Sequence, residues 1–258
     1  MKSNSLKNIK IIDYGTIERS SNSESIVIPF DTSHGQDYFN NTEYKNSFFK
    51  LAPHFSPQHY ITTCGIASAV IVLNAIFVAN QKERPLSKEG SWYIEETKTI
   101  HANRIWSEDN FFNDVACTII DREVVMGHKK ICGKHVPGLN LSELSSALIS
   151  HKLSIKKVCV DEAEPKNIAK FRDLIKQITL EVDFFMIVNY ELSLLSPKLN
   201  QGHFSPVAAY DAKTDRVLLL DPWSAYTPWV WIKLEELYKS MHTLDNNMYR
   251  GYILIKSK

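Results

Sequence analysis

The sequence predicts an α+β fold in which a mainly helical first half packs against an antiparallel sheet formed by the second half. Residues 65–80 contain no proline and are apolar on nearly every face, which is typical of a buried helix. From residue 184 onward the pattern changes to short apolar runs separated by turn residues, which predicts strands. Hydrophobic residues make up 44% of the 258 residues, which is enough for a sizeable core without disulfides or a structural metal.

The other elements follow in chain order. Residues 17–46 are rich in Ser, Asn, Asp and Thr and predict an extended, loop-rich arm. Residues 142–151 predict a helix with Asn140 as its N-cap, and residues 167–178 predict an amphipathic helix. A short helix is expected at 234–241. The predicted strands are 184–190, 204–210, 216–220, 229–232 and 252–255.

These elements suggest an N-terminal arm (1–44) followed by one domain (45–258). Within that domain a helical lobe covers about residues 45–180 and a sheet lobe covers about residues 181–258.

Composition excludes several classes of function. The formal net charge of +1 provides no long-range attraction to nucleic acid or to an anionic membrane. No run approaches the ~20 apolar residues of a membrane-spanning helix, and the N-terminus has no apolar signal-peptide core. The four cysteines form no CxxC pair, so we expect reduced thiols in a cytoplasmic protein.

Cys64 is the first candidate for a chemical role. It lies directly before the apolar helix, where unpaired N–H groups and the positive end of the helix dipole favour a thiolate. Gly65 places no side chain beside the sulfur, so a substrate can approach it. Gln58 lies six residues earlier, and its amide can donate to a developing oxyanion together with the Cys64 backbone N–H.

His203 and Asp221 are the matching candidates in the second half. Apolar runs at 207–210 and 216–220 flank turn-forming residues, which predicts a β-hairpin. If the turn is centred near Ala212, His203 and Asp221 face each other. Cross-strand neighbours lie about 5 Å apart, so the carboxylate can orient the imidazole.

Pro206 lacks an N–H for the ladder, so we expect its strand segment at a sheet edge or beside a bulge. The chain order Cys64, His203, Asp221, with the thiol on a helix and the imidazole on a sheet, is the papain-like arrangement. It predicts a catalytic triad in the cleft between the two halves.

Particular segments resemble the phytochelatin synthase family. QHYITTCGIASAVIVLNA is similar to the nucleophile region of that family, and GHFSPVAAYD followed by VLLLD is similar to its His and Asp block. The likeness extends over about residues 45–256. Shorter matches are WSEDNFFN, EVV before LNLSEL, IVNY, WVWIKLEELYKSM and RGYILIK.

The resemblance implies a glutathione γ-glutamylcysteinyltransferase. In that reaction Cys64 attacks the Cys–Gly bond of glutathione, glycine leaves, and the acyl group passes to a second glutathione or to water. When the roles of the family's residues are transferred to the matching positions of this chain, His203 is the base and Asp221 orients it. Gln58 then belongs to the oxyanion hole. Substrate binding falls to Gly65, Gly202 and Arg250. The family also implies a role in heavy-metal detoxification. Cadmium or zinc would then act as an activator or be bound by the thiolate of the substrate. The family implies no permanently bound cofactor.

Two departures from the family pattern bear on the fate of the acyl group. The run after Tyr190 carries no basic residue until Lys198, and the chain resembles short forms without a Cys-rich C-terminal domain. Both favour hydrolysis to γ-Glu-Cys over transfer. The expected partners are glutathione and metal–glutathione complexes, with no nucleic acid, no membrane and a homodimer as an option.

Two alternatives stay open. The chain could be a papain-fold peptidase or deamidase with another substrate. It could also be a non-catalytic metal- or thiol-binding module. The insert at 127–138 carries His128, Cys132 and His135, and these with Cys117 are candidate metal ligands. Their spacing fits no established zinc pattern, so a flexible basic loop is the favoured interpretation.

Overall fold

The computed structural model describes residues 24–88, 90–134, 138–181, 183–195, 199–223 and 229–256. Its helices are α1 (Ser33–Asn41), α2 (Asn46–Leu51), α3 (Cys64–Ala79), α4 (Glu108–Phe111), α5 (Asp114–Ile119), α6 (Arg122–Val125), α7 (Leu141–Ile149), α8 (Pro165–Leu180) and α9 (Leu234–Met241). Its strands are β1 (Val27–Pro29), β2 (Trp92–Ile94), β3 (Thr99–His101), β4 (Ser154–Cys159), β5 (Phe184–Glu191), β6 (Gly202–Asp211), β7 (Arg216–Leu219), β8 (Val230–Lys233), β9 (Leu244–Asp245), β10 (Met248–Tyr249) and β11 (Gly251–Lys256).

One large antiparallel sheet organises the molecule, and the predicted α+β class is confirmed. Its strand order is β1-β8-β7-β6-β5-β11-β4. The strands β2–β3 and β9–β10 form two separate hairpins. Five strands of the large sheet, β5 to β8 and β11, lie from residue 184 onward, as predicted. The two edge strands, β1 and β4, come from segments that the sequence assigned to the arm and to the helical lobe.

The described part of the predicted arm is more ordered than its composition suggested. It contains β1, which pairs with β8 through Val27 and Ile232, and it contains α1. The Thr32 side chain caps α1 by accepting a hydrogen bond from the Gly35 N–H. The buried Arg216 donates to the backbone carbonyls of residues 25 and 26, so the arm is fixed to the sheet.

Helices cover both faces of the sheet. On one face α3 and α7 pack against residues such as Phe204 and Ala208 of β6. On the other face α8 and α9 pack against Val207 and Tyr210 of the same strand. Helix α3 is buried over almost its whole length, as expected for a helix that is apolar on every face. Within the described residues no helix is long and apolar enough to cross a membrane.

Local signals in the sequence located most elements correctly. Asn140 caps α7, accepting from the N–H groups of Ser142 and Glu143, and the Glu143 carboxylate accepts from the Asn140 N–H in return. Helix α9 has the predicted bounds. Pro206 lies in β6, which is a central strand, so the edge-strand alternative is wrong. The bulge alternative is confirmed, because the β6–β7 register shifts between Val207 and Ala209.

His151 makes stability depend on pH. Its ring is 4% exposed and packs against the Trp106 and Phe111 rings, 4.6 and 4.9 Å away between centroids. Burial lowers the pKa of His151 to about 4, which the Phe111 backbone only partly offsets. Because the unfolded chain binds a proton near pH 6.5 and the native state does not, stability falls as the pH drops from about 6.5 towards 4.

We expect the free energy of unfolding to fall by about 1–3 kcal/mol across that range through His151. Urea denaturation at a series of pH values measures the slope. The His151→Phe variant keeps an aromatic ring between the same neighbours. It is expected to lose the part of the pH dependence of the free energy of unfolding that His151 contributes. An equal slope in both proteins would contradict the assignment.

Candidate active site

The loop before α3 presents Cys64 at the first position of that helix. The Thr63 hydroxyl makes no capping bond to the helix, because it donates to the Tyr60 carbonyl and accepts from the Tyr60 N–H. The helix N–H groups next to Cys64 therefore face the site without a side-chain cap. The Gln58 N–H donates to the Pro222 carbonyl at 2.8 Å, which ties this loop to the segment that carries Asp221.

His203 and Asp221 form a buried ion pair. The His203 Nε2–H donates to Asp221 Oδ1 at 2.8 Å, and the side chains are 3% and 0% exposed. The Trp223 N–H donates to the same carboxylate oxygen at 2.8 Å. These two donors fix the position of Asp221, and the carboxylate in turn fixes the tautomer and orientation of the imidazole.

The predicted register of this hairpin is wrong by about two positions, although the predicted contact forms. The turn occupies residues 212–215, with Asp215 at φ +52°, and Asp211 pairs with Arg216. Beyond the bulge the register places Asp221 opposite Ser205 rather than opposite His203. The His203 and Asp221 side chains lie on one face and meet along the diagonal.

The Cys64 side chain lies within hydrogen-bonding reach of the same imidazole. Because Nε2 is bonded to Asp221, Nδ1 is the ring nitrogen left for the sulfur. Burial alone would disfavour the imidazolium, but the negative charges of Asp221 and of a Cys64 thiolate outweigh it and raise the pKa of His203 to about 10. The site therefore favours a protonated His203 imidazole facing the Cys64 sulfur.

Neighbouring side chains hold His203 in place. The Tyr190 ring meets it edge to face at 5.7 Å, and the Trp223 ring lies 6.2 Å away on a tilted plane. The Asn189 side chain donates to the His203 carbonyl at 3.2 Å. The imidazole is thus fixed by packing as well as by Asp221.

Gln58 and Gly65 have additional structural functions. The Gln58 side-chain amide donates to the Tyr60 carbonyl at 2.8 Å, so one of its two amide protons is used within the loop. A Cβ at Gly65 would lie 3.2 Å from the Phe204 ring and 3.4 Å from Leu144, so this glycine lets α3 pack closely on β6. Their oxyanion and substrate-binding roles stay predictions.

A cleft of about 460 Å³ opens at Cys64 and His203. Part of its wall is aliphatic and comes from the Cys64 loop, the α5–α6 region and the insert. The rest of the wall is mainly polar and carries two carboxylates and a guanidinium. The aliphatic residues are Ile61, Ile120, Val124, Val125, Ile131 and Leu139. The polar residues are Asn140, Glu143, Asn200, Gln201, Gly202, Asp245, Asn246 and Arg250.

Arg250 and Asp245 meet beside Gly202. A Cβ at Gly202 would lie 3.3 Å from Arg250 Nε and 3.5 Å from Asp245 Oδ2. Arg250 is 5% exposed, and its Nη1 donates to Thr243 Oγ1 and to the Leu244 carbonyl. Its buried Nε has no partner among the described residues. This N–H is available to an anionic group in the cleft.

Sequence reasoning missed Asp245. The carboxylate lies in the cleft because β9 and β10 form a tight hairpin, in which Asp245 pairs with Met248. The two turn residues, Asn246 and Asn247, have φ of +49° and +68°. Paired positive φ values in a two-residue turn are typical of type I′, and asparagine tolerates them well. The Asn-Asn pair was therefore a hairpin signal in the sequence.

The candidate metal ligands of the insert do not form a cluster in the described chain. No group of three or more His, Cys, Asp or Glu side chains is close enough to hold a metal ion within those residues. His128 lies 3.1 Å from Glu123, and Cys117 and Cys132 are exposed thiols. His135, like Lys198, lies outside the described residues.

Fold and site together define a papain-like α+β chain, in which a thiol at a helix N-terminus faces a His–Asp pair on an antiparallel sheet. A family model for phytochelatin synthase matches residues 19–252. The chain therefore belongs to the phytochelatin synthase family, as the sequence motifs predicted. The match begins within the predicted N-terminal arm.

Curated relatives cover most of this chain. Glutathione gamma-glutamylcysteinyltransferase 3 of Lotus japonicus is 26% identical over 213 residues, which are 81% of this chain and 37% of the relative. Glutathione gamma-glutamylcysteinyltransferase 1 of Arabidopsis thaliana is 24% identical, with 89% and 41% covered. The Schizosaccharomyces pombe enzyme is 24% identical, with 89% and 49% covered. The chain thus spans less than half the length of these relatives.

Among solved structures, xylellain, a cysteine protease from Xylella fastidiosa, aligns with 80% of this chain and 85% of its own. The TM-score is 0.37 and the identity is 11%.

Proposed function

We propose that this chain removes glycine from glutathione through an acyl-enzyme on Cys64. The observation that carries the proposal is the contact of Cys64 with His203, which is itself bonded to Asp221 at 2.8 Å, at the end of a cleft. A thiolate paired with an oriented imidazolium is the arrangement required for nucleophilic attack on an amide.

In the first step the Cys64 thiolate attacks the carbonyl carbon of the Cys–Gly bond. The His203 imidazolium gives its proton to the glycine nitrogen, the C–N bond breaks, and glycine leaves with a thioester on Cys64. His203, now neutral, takes a proton from water as the oxygen attacks the thioester. The products are γ-Glu-Cys and the restored thiolate–imidazolium pair. The Gln58 amide and the Cys64 N–H are the proposed donors to the oxyanion.

The polar wall of the cleft suits the γ-glutamyl end of glutathione. That end carries one carboxylate and one ammonium group on the same carbon. Arg250, with its free Nε–H, and Asp245 lie together beside Gly202 and provide the opposite charges. We assign the substrate carboxylate to Arg250 and the substrate ammonium to Asp245.

Hydrolysis is favoured over transfer by the charge of the cleft. Among its described lining residues Glu143 and Asp245 are acidic, whereas Arg250 is the one Lys or Arg. A first glutathione uses Arg250, so a second, which carries two carboxylates and one ammonium group, meets excess negative charge. Water meets no such repulsion.

Metal ions enter this scheme bound to thiolates of the substrate. The exposed free thiols of Cys117 and Cys132 fit a reducing, cytoplasmic setting.

The ratio of products tests the proposal. After incubation with glutathione, mass spectrometry should detect glycine and γ-Glu-Cys in nearly equal amounts, with longer γ-Glu-Cys oligomers as a minor product. The same experiment with cadmium or zinc present tests whether the metal–glutathione complex is the better substrate. Abundant oligomers would exclude hydrolysis as the main path. Absence of glycine release, with cleavage of other peptides, would favour a peptidase instead.

Gly202→Ala is expected to weaken substrate binding without removing the chemistry. The added methyl group would lie 3.3–3.5 Å from the Arg250 guanidinium and the Asp245 carboxylate, where the substrate's charged end is proposed to bind. We expect KM to rise by about tenfold with a small change in kcat. Steady-state kinetics measures both. A loss confined to kcat would place Gly202 outside the binding pocket.

A further inference from the structure

Helix α3 carries two buried polar side chains in the otherwise apolar run that follows Cys64. They are Ser68 and Asn74, which are 0% and 1% exposed. Asn74 donates to the Trp106 carbonyl at 2.9 Å and accepts from the Trp106 N–H at 3.0 Å, which fastens the helix to the segment before α4. The Ser68 hydroxyl instead donates to the Phe204 carbonyl of β6 at 3.1 Å. Because a buried hydroxyl without a partner is costly, this bond favours one position of the helix on the strand.

The two ends of the Ser68 bond lie next to the reacting groups. Ser68 follows Cys64 by four residues, which is about one helical turn, so the two side chains lie on the same face of α3. Phe204 follows His203 directly on β6. The bond therefore joins the helix that carries the sulfur to the strand that carries the imidazole, about one turn away from the contact between Cys64 and His203.

The end of β6 that carries His203 has strand pairing on one side. Within the described ladder, residues 202–205 pair with β5 but with no residue of β7, whose pairing begins at Val207. From β5 the Asn189 side chain also donates to the His203 carbonyl at 3.2 Å. The apolar packing between α3 and β6 adds stability, but the hydrophobic effect has no preferred direction. The Ser68 bond adds a directional constraint between the helix and this strand end.

We propose that Ser68 is a positioning residue, whose hydroxyl sets the distance between the Cys64 sulfur and the His203 imidazole by fixing α3 to β6. Attack by the sulfur and proton transfer by the imidazole both require close contact, and a misplacement of about 1 Å can lower a rate by about a hundredfold. The inference rests on the proposed function, which assigns substrate binding to Arg250 and Asp245 on other elements. Loss of the hydroxyl should therefore slow the chemical step and leave substrate binding nearly unchanged.

The Ser68→Ala variant tests the positioning role, because it removes the hydroxyl and keeps a residue of high helix propensity. With glutathione as substrate, we expect kcat for glycine release to fall by about tenfold or more, while KM changes by less than about twofold. The melting temperature should fall by about 2–4 °C, because one buried hydrogen bond is lost. Kinetics is measured well below the melting temperature of the variant, so that the folded protein is compared in each case.

Ser47→Ala is the matched control, which separates positioning from folding. Ser47 is 1% exposed, and its hydroxyl donates to the Ile178 carbonyl at 2.8 Å, which joins α2 to α8. The control therefore loses the same kind of bond between two elements that carry no member of the triad. Its melting temperature should fall by a similar amount and its kcat should stay at the wild-type value. Equal losses of kcat in the two variants, or an unchanged kcat in Ser68→Ala, would overturn the inference.

A second measurement does not depend on the substrate. In protein labelled with ¹⁵N-histidine, the ring signals of His203 report the surroundings of its imidazole, and their absence in His203→Asn identifies them. Ser68→Ala should shift these signals, whereas Ser47→Ala should leave them in place. If the wild-type protein releases no glycine but Ser68→Ala shifts the His203 signals, the proposed function fails and the positioning role stands. If the His203 signals are the same in Ser68→Ala and in the wild type, the positioning role fails, whatever the substrate.

Discussion

Replacing Cys64 by serine is expected to abolish glycine release from glutathione, with a fall in kcat of at least about a thousandfold. Serine retains the size and the hydrogen bond of the side chain, but its hydroxyl stays protonated beside His203 and cannot form the thiolate–imidazolium pair. The acyl intermediate is lost with it. Mass spectrometry of the wild-type protein after a short incubation should show the γ-Glu-Cys group on the Cys64 peptide.

Cys117→Ser and Cys159→Ser are the matched controls, because neither thiol lies in the cleft. Both variants should release glycine at the wild-type rate. Equal activity in Cys64→Ser would remove the acyl-enzyme from the mechanism.

The second large effect is expected for Asp221→Asn, with a fall in kcat of about 10²- to 10⁴-fold. The amide is nearly isosteric but neutral, so it no longer holds the imidazolium. Without its charge, burial dominates and the pKa of His203 falls from about 10. The alkaline limit of activity, which we expect this pKa to set, should therefore move downward by more than one pH unit in the variant.

The same pair contributes to folding with a defined sign. The folded-state pKa of His203 exceeds its ordinary value of 6.5, so the stabilisation is complete below about pH 6.5 and is lost as the pH rises through about 10. In Asp221→Asn this alkaline loss of stability should disappear from denaturation curves. A variant with unchanged activity and an unchanged alkaline limit would show that Asp221 does not act on His203.

The sequence predicted those helices and strands that are determined by residues near them in the chain. Helix α3 was readable because it is apolar on every face, and α7 because Asn140 and Glu143 form a capping box. Strand β1 has three residues and depends on β8, some two hundred residues later, so no nearby signal marks it. Strand β4 carries exposed lysines as an edge strand, which made it resemble a loop.

The candidate site likewise combines features that nearby residues determine with features that depend on distant parts of the chain. Cys64, His203 and Asp221 were found from residue type and approximate hairpin spacing, because side chains reach diagonal neighbours even when the register is shifted. The shift itself depends on a four-residue turn and a bulge that sequence spacing did not reveal. Asp245 requires the β9–β10 hairpin to fold back towards Gly202, which is tertiary information.

The burial of α3 on all sides has a consequence for synthesis on the ribosome. This helix emerges more than a hundred residues before β6, the strand that covers it. At about 5–20 residues per second the wait is roughly 6–26 seconds, during which sixteen mostly apolar residues have no sheet to pack against. Nascent chains of this protein should therefore be clients of ribosome-associated chaperones, and fast translation of residues 80–204 should raise the soluble yield.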